Sequence, residues 1–147
     1  MLTRECPFCN KEVIEKQKIC ETGAEYIRPA NKGQCIVLPK RHVQNIMELT
    51  KSEAGSLLKT IRFASTILEA YLHPDAFNYG FNEGAYSGQM VKHLHFHVIP
   101  GFKGDKLPEF HLFHRDPKTK KNLADGELKP FVLEFRKVFN AWKLIKF

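Results

Sequence analysis

The sequence predicts an α+β fold, and three patterns predict it. Residues 50–72 carry apolar side chains at helical spacing, residues 77–99 read as two extended pieces around a glycine-containing loop, and residues 128–145 return to a helical period. At 147 residues, 43% of them hydrophobic, the chain has the size of one compact domain and enough apolar material for a core without disulfide staples. A single domain over residues 1–147 is therefore expected.

Taken in order, Cys6-Pro7-Phe8-Cys9 opens a largely polar stretch, and Gly33-Gln34-Cys35-Ile36-Val37-Leu38-Pro39 then reads as a short buried strand. In the first long helix, Leu57, Leu58, Ile61, Ala64, Leu68 and Tyr71 fall on one face. Thr50 with Glu53 forms a capping box at its start. His73-Pro74 stops it, because the residue before a proline is pushed out of helical geometry. Asn82 to Gln89 is the loop between the two extended pieces. Residues 101–126 are rich in Lys, Asp, Pro and Gly without a period, so they read as irregular connection. Leu128, Phe131, Val132, Phe135, Val138, Phe139, Trp142 and Ile145 then make a C-terminal amphipathic helix, with Pro130 in its first turn. Its aromatic face is expected to pack on the core or on a partner subunit rather than on a membrane surface.

Neither end carries a long apolar run, so neither a signal peptide nor a membrane span is expected and the cytoplasm is the expected compartment. Cys6 and Cys9 have the Cys-x-x-Cys spacing of a metal site or a pair of free thiols, while Cys20 and Cys35 show no pairing pattern. Lys and Arg number 23 against 16 Asp and Glu, a formal net charge of +7 that suits phosphorylated metabolites or nucleic acid.

The sharpest feature is His93-Leu94-His95-Phe96-His97-Val98-Ile99, in which His alternates with apolar residues. On a strand this alternation sends Leu94, Phe96 and Val98 to the core and three imidazoles to the other side. Same-face neighbours on a strand lie about 6.6 Å apart, which puts His93 about 13 Å from His97 and too far to share one ion. At most two adjacent histidines can share a metal, and at least one imidazole remains for other chemistry. Neutral imidazole attacks phosphorus near pH 7 and forms an N-phosphoryl bond that water can break. In the preceding loop, Gly84 and Gly88 permit close backbone approach and Asn82 and Gln89 offer neutral donors, as a phosphate would require.

Residues 78–105, centred on this run, and Gly33-Gln34-Cys35-Ile36-Val37-Leu38-Pro39-Lys40-Arg41-His42 together resemble the signature of the histidine triad family of nucleotide hydrolases and transferases. The resemblance covers residues 6–105, leaving 106–147 as a C-terminal extension. It implies an α+β sandwich of antiparallel strands with one long packed helix, commonly paired as a homodimer. It also implies that His95 attacks a nucleotide α-phosphorus and that His97 stabilises charge on the phosphate. Asn82 and the backbone at Gly88 and Gln89 would hold phosphate and leaving group. Zinc-containing bacterial members place metal ligands where this chain has Cys6, Cys9, His42 and His93, a normal tetrahedral set. The resemblance implies no organic cofactor, and neither nucleic acid nor membrane is an expected partner.

Two positions depart from the family pattern. Met90 stands where many relatives have Thr or Ser beside the leaving group, and Tyr26 stands where they have an Asn or Asp that contacts ribose. Two competing readings remain at this level. In one, His93 and His95 are paired ligands of a catalytic or storage metal. In the other, the chain is a basic binding module in which Lys118, Lys120 and Lys121, with nearby aromatics, hold nucleic acid or a protein partner and catalysis is vestigial.

Overall fold

The computed structural model describes residues 5–30, 33–105 and 125–146, the side chains of residues 125, 145 and 146 apart. Among the described residues the main elements are α1 (Lys11–Gln17), β1 (Cys20–Glu21), β2 (Glu25–Pro29), β3 (Cys35–Pro39), α2 (Lys51–Leu72), β4 (Ala76–Gly80), β5 (Phe96–Gly101) and α3 (Asp125–Lys146). The strands form one antiparallel sheet in the order β1-β2-β3-β5-β4, the α+β architecture expected.

The central strand β3 is buried along its whole length because it feeds two apolar layers. Cys35 and Val37 join Ile27, Val98 and the inner faces of α2 and α3, while Ile36 and Leu38 join Cys6 and Phe8 on the opposite side. Helix α2 begins with the expected capping box at Thr50 and Glu53 and ends at His73, whose left-handed backbone (φ 50°) closes the last turn. Its core face is Leu57, Thr60, Phe63, Ala64, Ile67 and Leu68. Leu58 and Tyr71, expected on that face, are exposed: Leu58 is one position round the helix from the stripe, and Tyr71 meets Phe135 and Glu134 of α3 at its margin.

Helix α3 packs as expected, with Leu128, Val132, Phe135 and Phe139 buried and Phe131, Val138 and Trp142 against the same core. It starts earlier than the sequence suggested, at Asp125, so Pro130 lies in the second turn and forgoes the bond to the Gly126 carbonyl. The irregular connection expected over 101–126 falls mostly outside the described residues, as do Lys118, Lys120 and Lys121 and the Ile145 side chain.

The Pro39-Lys40-Arg41-His42 turn is tied to the start of α2. Arg41 Nε and a terminal guanidinium nitrogen donate to the two Glu53 carboxylate oxygens at 2.8 and 2.7 Å, and the same terminal nitrogen donates to the Glu48 carbonyl. The Arg41 hydrogen bonds, helped by the Thr50 backbone N–H, hold the Glu53 carboxyl down at about 2. A carboxyl depressed in the fold contributes stability above its unfolded pKa and loses it as pH falls toward the folded one. The urea midpoint of wild type should therefore fall as pH drops from about 4.5 to about 2, and Arg41→Ala should flatten that part of the profile.

Candidate metal and histidine site

Cys6 to Cys9 forms a tight turn in which the Cys9 and Asn10 N–H groups both donate to the Cys6 carbonyl. Asn10 then caps α1 by accepting from the Glu12 and Val13 N–H groups. The turn lies against the segment before β5. That segment corrects the expectation of a histidine strand, because the ladder begins only at Phe96. Upstream of it, the His93 N–H donates to the Val91 carbonyl and the Leu94 N–H to the Val43 carbonyl, so the backbone bonds to loops rather than to a strand. His93 is consequently buried in the interior, whereas His95 and His97 remain half-buried.

Four of the expected residues converge. One side-chain donor atom each from Cys6, Cys9, His42 and His93 lies within 4.8 Å of every other. Cys6 Sγ is 3.6 Å from His93 Nδ1, and Cys9 Sγ is 3.3 Å from His42 Nδ1 and 3.5 Å from His93 Nδ1. A tetrahedral ion with ordinary metal–sulfur and metal–nitrogen bonds would put its S···N edges at about 3.5 Å, so the donors fit one such ion. The protonation pattern agrees. His93 Nε2 lies 2.8 Å from the Pro39 carbonyl, which can only accept, so the proton sits on Nε2 and Nδ1 turns its lone pair toward the sulfurs. Burial pushes the Cys9 thiol up to about 11, reinforced by neighbouring Cys6, and pushes His93 down to about 4. Two adjacent thiolates there need a cation to balance them.

His95 is outside that set. Its Nδ1 donates to the His93 carbonyl at 2.8 Å, and its ring lies 5.2 Å from that of His97. This geometry removes the reading in which His93 and His95 share a metal: among the described residues His93 turns to the sulfurs and His95 does not. His97 stands on β5, in register with Ile36 and Gly80.

The loop at 82–89 is a built turn. Gly84 and Gly88 have φ of 82° and 85°, which other residues rarely adopt, and a 3-10 turn spans Ala85–Ser87 between them. The Gly88 N–H donates to the Ala85 carbonyl and the Gln89 N–H to the Gly84 carbonyl. The Gln89 carboxamide accepts from the Gly84 N–H and donates to the Gln44 carbonyl, so it braces two loops. Tyr26 is half-buried on the face of β2 that packs against Cys6, Phe8, Ile36 and Leu38, with the Lys18 and Lys40 ammonium groups 5.8 and 5.2 Å from its ring centre. Sequence reasoning missed Phe8, whose signal was only its place inside the Cys-x-x-Cys turn.

Residues 11–104, well over half the chain, match the model of the HIT domain. The chain belongs to the HIT domain family. Over 98 residues it is 32% identical to the asymmetrical bis(5'-nucleosyl)-tetraphosphatase of Schizosaccharomyces pombe, covering 67% of this chain and 54% of that one. It is 31% identical over 101 residues to the adenosine 5'-monophosphoramidase of the same organism, covering 65% and 73% respectively. This HIT protein thus spans about half the length of the tetraphosphatase it matches. In fold it is similar to a zinc-bound histidine triad protein from Mycobacterium smegmatis, with a TM-score of 0.72 over 98% of this chain and 99% of the other at 22% identity.

Purified without an affinity tag, the HIT protein is expected to hold a stoichiometric divalent metal by elemental analysis. Cys9→Ser should lose most of it, and a fully folded, metal-free wild type would count against the site.

Proposed function

We propose that this HIT protein cleaves nucleotides at the α-phosphorus, as a hydrolase or transferase of dinucleoside polyphosphates or nucleoside phosphoramidates. The observation that carries this reading is the 2.8 Å bond from His95 Nδ1 to the His93 carbonyl. The carbonyl can only accept, so it fixes the proton on Nδ1 and leaves Nε2 with its lone pair, the form of imidazole that attacks phosphorus. In the first step Nε2 bonds to the α-phosphorus as the bond from phosphorus to the leaving group breaks and its electron pair departs with that group. Water then attacks the phosphorus, giving up one proton to solvent, and the P–N bond breaks, returning the pair to Nε2.

His97, its ring beside that of His95, supplies an N–H to the phosphate oxygens as charge builds there. Asn82 and the turn at Gly88 and Gln89 form the phosphate and leaving-group side, with Gly88 kept free of a side chain by its left-handed backbone. The names of the two yeast relatives support this substrate class. Met90 places a thioether where a hydroxyl would assist a leaving group, so the choice between polyphosphate and phosphoramidate turns on that position.

The metal reads as structural zinc. Cys6, Cys9, His42 and His93 would hold it with all four positions filled by protein, and a closed site of this kind supplies rigidity to the fold rather than an activated water. We place the protein in the cytoplasm because Cys6, Cys9, Cys20 and Cys35 are all unpaired, as a reducing compartment keeps them. Among the described residues no helix is long and apolar enough to cross a membrane. A homodimer is supported by β4, an edge strand among the described residues, and by exposed Leu58 (62%) and Tyr79 (51%). The Tyr79 hydroxyl donates to Ser65 of α2, two helical turns from Leu58, so both residues lie on one outer face.

Cleavage of a panel of dinucleoside polyphosphates and an adenosine phosphoramidate is expected from wild type. It should fall by at least about a thousandfold in folded His95→Ala, the usual scale for losing a nucleophile. Retained cleavage would exclude His95 as the attacking group, and salt-steep binding of RNA or DNA without cleavage would favour the basic binding module. Sedimentation should give twice the chain mass for wild type and the single-chain mass for Leu58→Glu.

A further inference from the structure

An aromatic residue within a Cys-x-x-Cys turn has no need to be buried, yet Phe8 is only 7% exposed and packs with Cys6, Ile36 and Leu38. Its ring reaches past the two cysteines. It meets the His93 ring edge-on at 5.8 Å and the His95 ring edge-on at 5.2 Å, while the Arg28 guanidinium lies over it at 5.0 Å. His95 is thus flanked by two rings at equal distance, Phe8 and His97, and fixed at Nδ1 by the backbone of a metal-ligating residue.

A hydrogen bond at one ring nitrogen sets a tautomer but leaves the imidazole able to pivot about that bond. Contacts on the ring remove that freedom, and near-attack geometry depends on removing it. The Phe8 backbone is held between the two sulfur donors, so its position depends on how Cys6 and Cys9 are held.

We infer that Phe8 is a positioning residue that sets the orientation of the His95 ring, and that metal held by Cys6 and Cys9 keeps Phe8 in that place. The metal site is then linked to the attacking nitrogen by two routes, the His93 carbonyl and the Phe8 ring. Neither route needs the ion to touch substrate. The kinetic part of this inference rests on the proposed role of His95; the geometric part does not.

The test uses the full-length, metal-loaded protein with 15N-labelled histidine and follows the His95 ring by long-range proton–nitrogen spectra. The Trp142 indole resonance, from the α3 side of the core, controls for folding. Wild type should show one His95 tautomer, protonated at Nδ1. Phe8→Ala should keep its metal and its Trp142 resonance, shift the His95 ring resonances, and lower kcat about 10- to 100-fold with KM little changed. Phe8→Leu, which keeps apolar bulk, should recover part of that loss. Stripping metal from wild type should move the His95 resonances in the same direction, and stripping it from Phe8→Ala should add no further change there. His95 resonances unmoved by either treatment would overturn the inference. So would a raised KM with unchanged kcat in Phe8→Ala, which would mean that Phe8 touches substrate instead. Where Phe8→Ala fails to fold, Phe8→Leu and stripped wild type decide the matter. Absence of turnover in wild type would sink the proposed reaction while leaving the spectral comparison intact.

Discussion

A buried imidazole has two nitrogens and a peptide group to satisfy, and at His93 the fold uses all three. Nε2 donates to the Pro39 carbonyl, Nδ1 faces the sulfurs of Cys6 and Cys9, and the carbonyl receives His95 Nδ1. Leaving any of these unpaired in a dry interior costs about 1–3 kcal/mol, so His93 cannot rotate or shift without breaking several bonds together. The Cys-x-x-Cys turn, the end of β3 and the approach to β5 are fixed to one another through this residue.

That arrangement is possible because β3 is buried on both sides. Alternate residues of one short strand are committed to the helical layer and to the layer beneath Cys6 and Phe8. Helices α2 and α3 cover the first layer, leaving the second to build the site. Thus Cys35, deep in the helical layer, has its thiol pushed up to about 12 by burial and is chemically inert, while Cys6 and Cys9 face donors. Sequence spacing distinguishes the two kinds of cysteine, and the sheet's two faces supply the reason.

The long elements were legible because each depends on a local signal: α2 on its capping box and period, β3 on its uninterrupted apolar run, α3 on its aromatic stripe. The convergence of Cys6, Cys9, His42 and His93 was legible through resemblance, since nothing local connects His42 or His93 to cysteines so far away in the chain. The stretch between Cys9 and Gly33 reads as polar, with a trimmed N-terminal hairpin suggested only by the resemblance, and it holds α1, β1 and β2. Two of these are too short to show a period. In β2 the alternation is disguised because a carboxylate occupies an inward position: Glu25 is buried and accepts hydroxyl hydrogen bonds from Thr22, Ser56 and Thr60. Two of the three hydroxyls, Ser56 and Thr60, come from α2, so no pattern within β2 announces that a charge belongs inside. The start of β5 was misplaced for a related reason. Residues 93–95 alternate like a strand, but their partners are loops.

Helix α3 lies beyond the segment that carries the family's common pattern, which ends at residue 104. It is nonetheless inseparable from the rest. Leu128, Val132, Phe135 and Phe139 close the core, and Arg136 donates to the Glu15 and Lys18 carbonyls at the end of α1, the helix that follows directly from the cysteine turn. The stretch matched by the family model and the folding unit are therefore different objects here. A boundary drawn where that match stops would cut through a shared interior and strip away one wall of it, while His95 and His97, both upstream, would still look complete on paper.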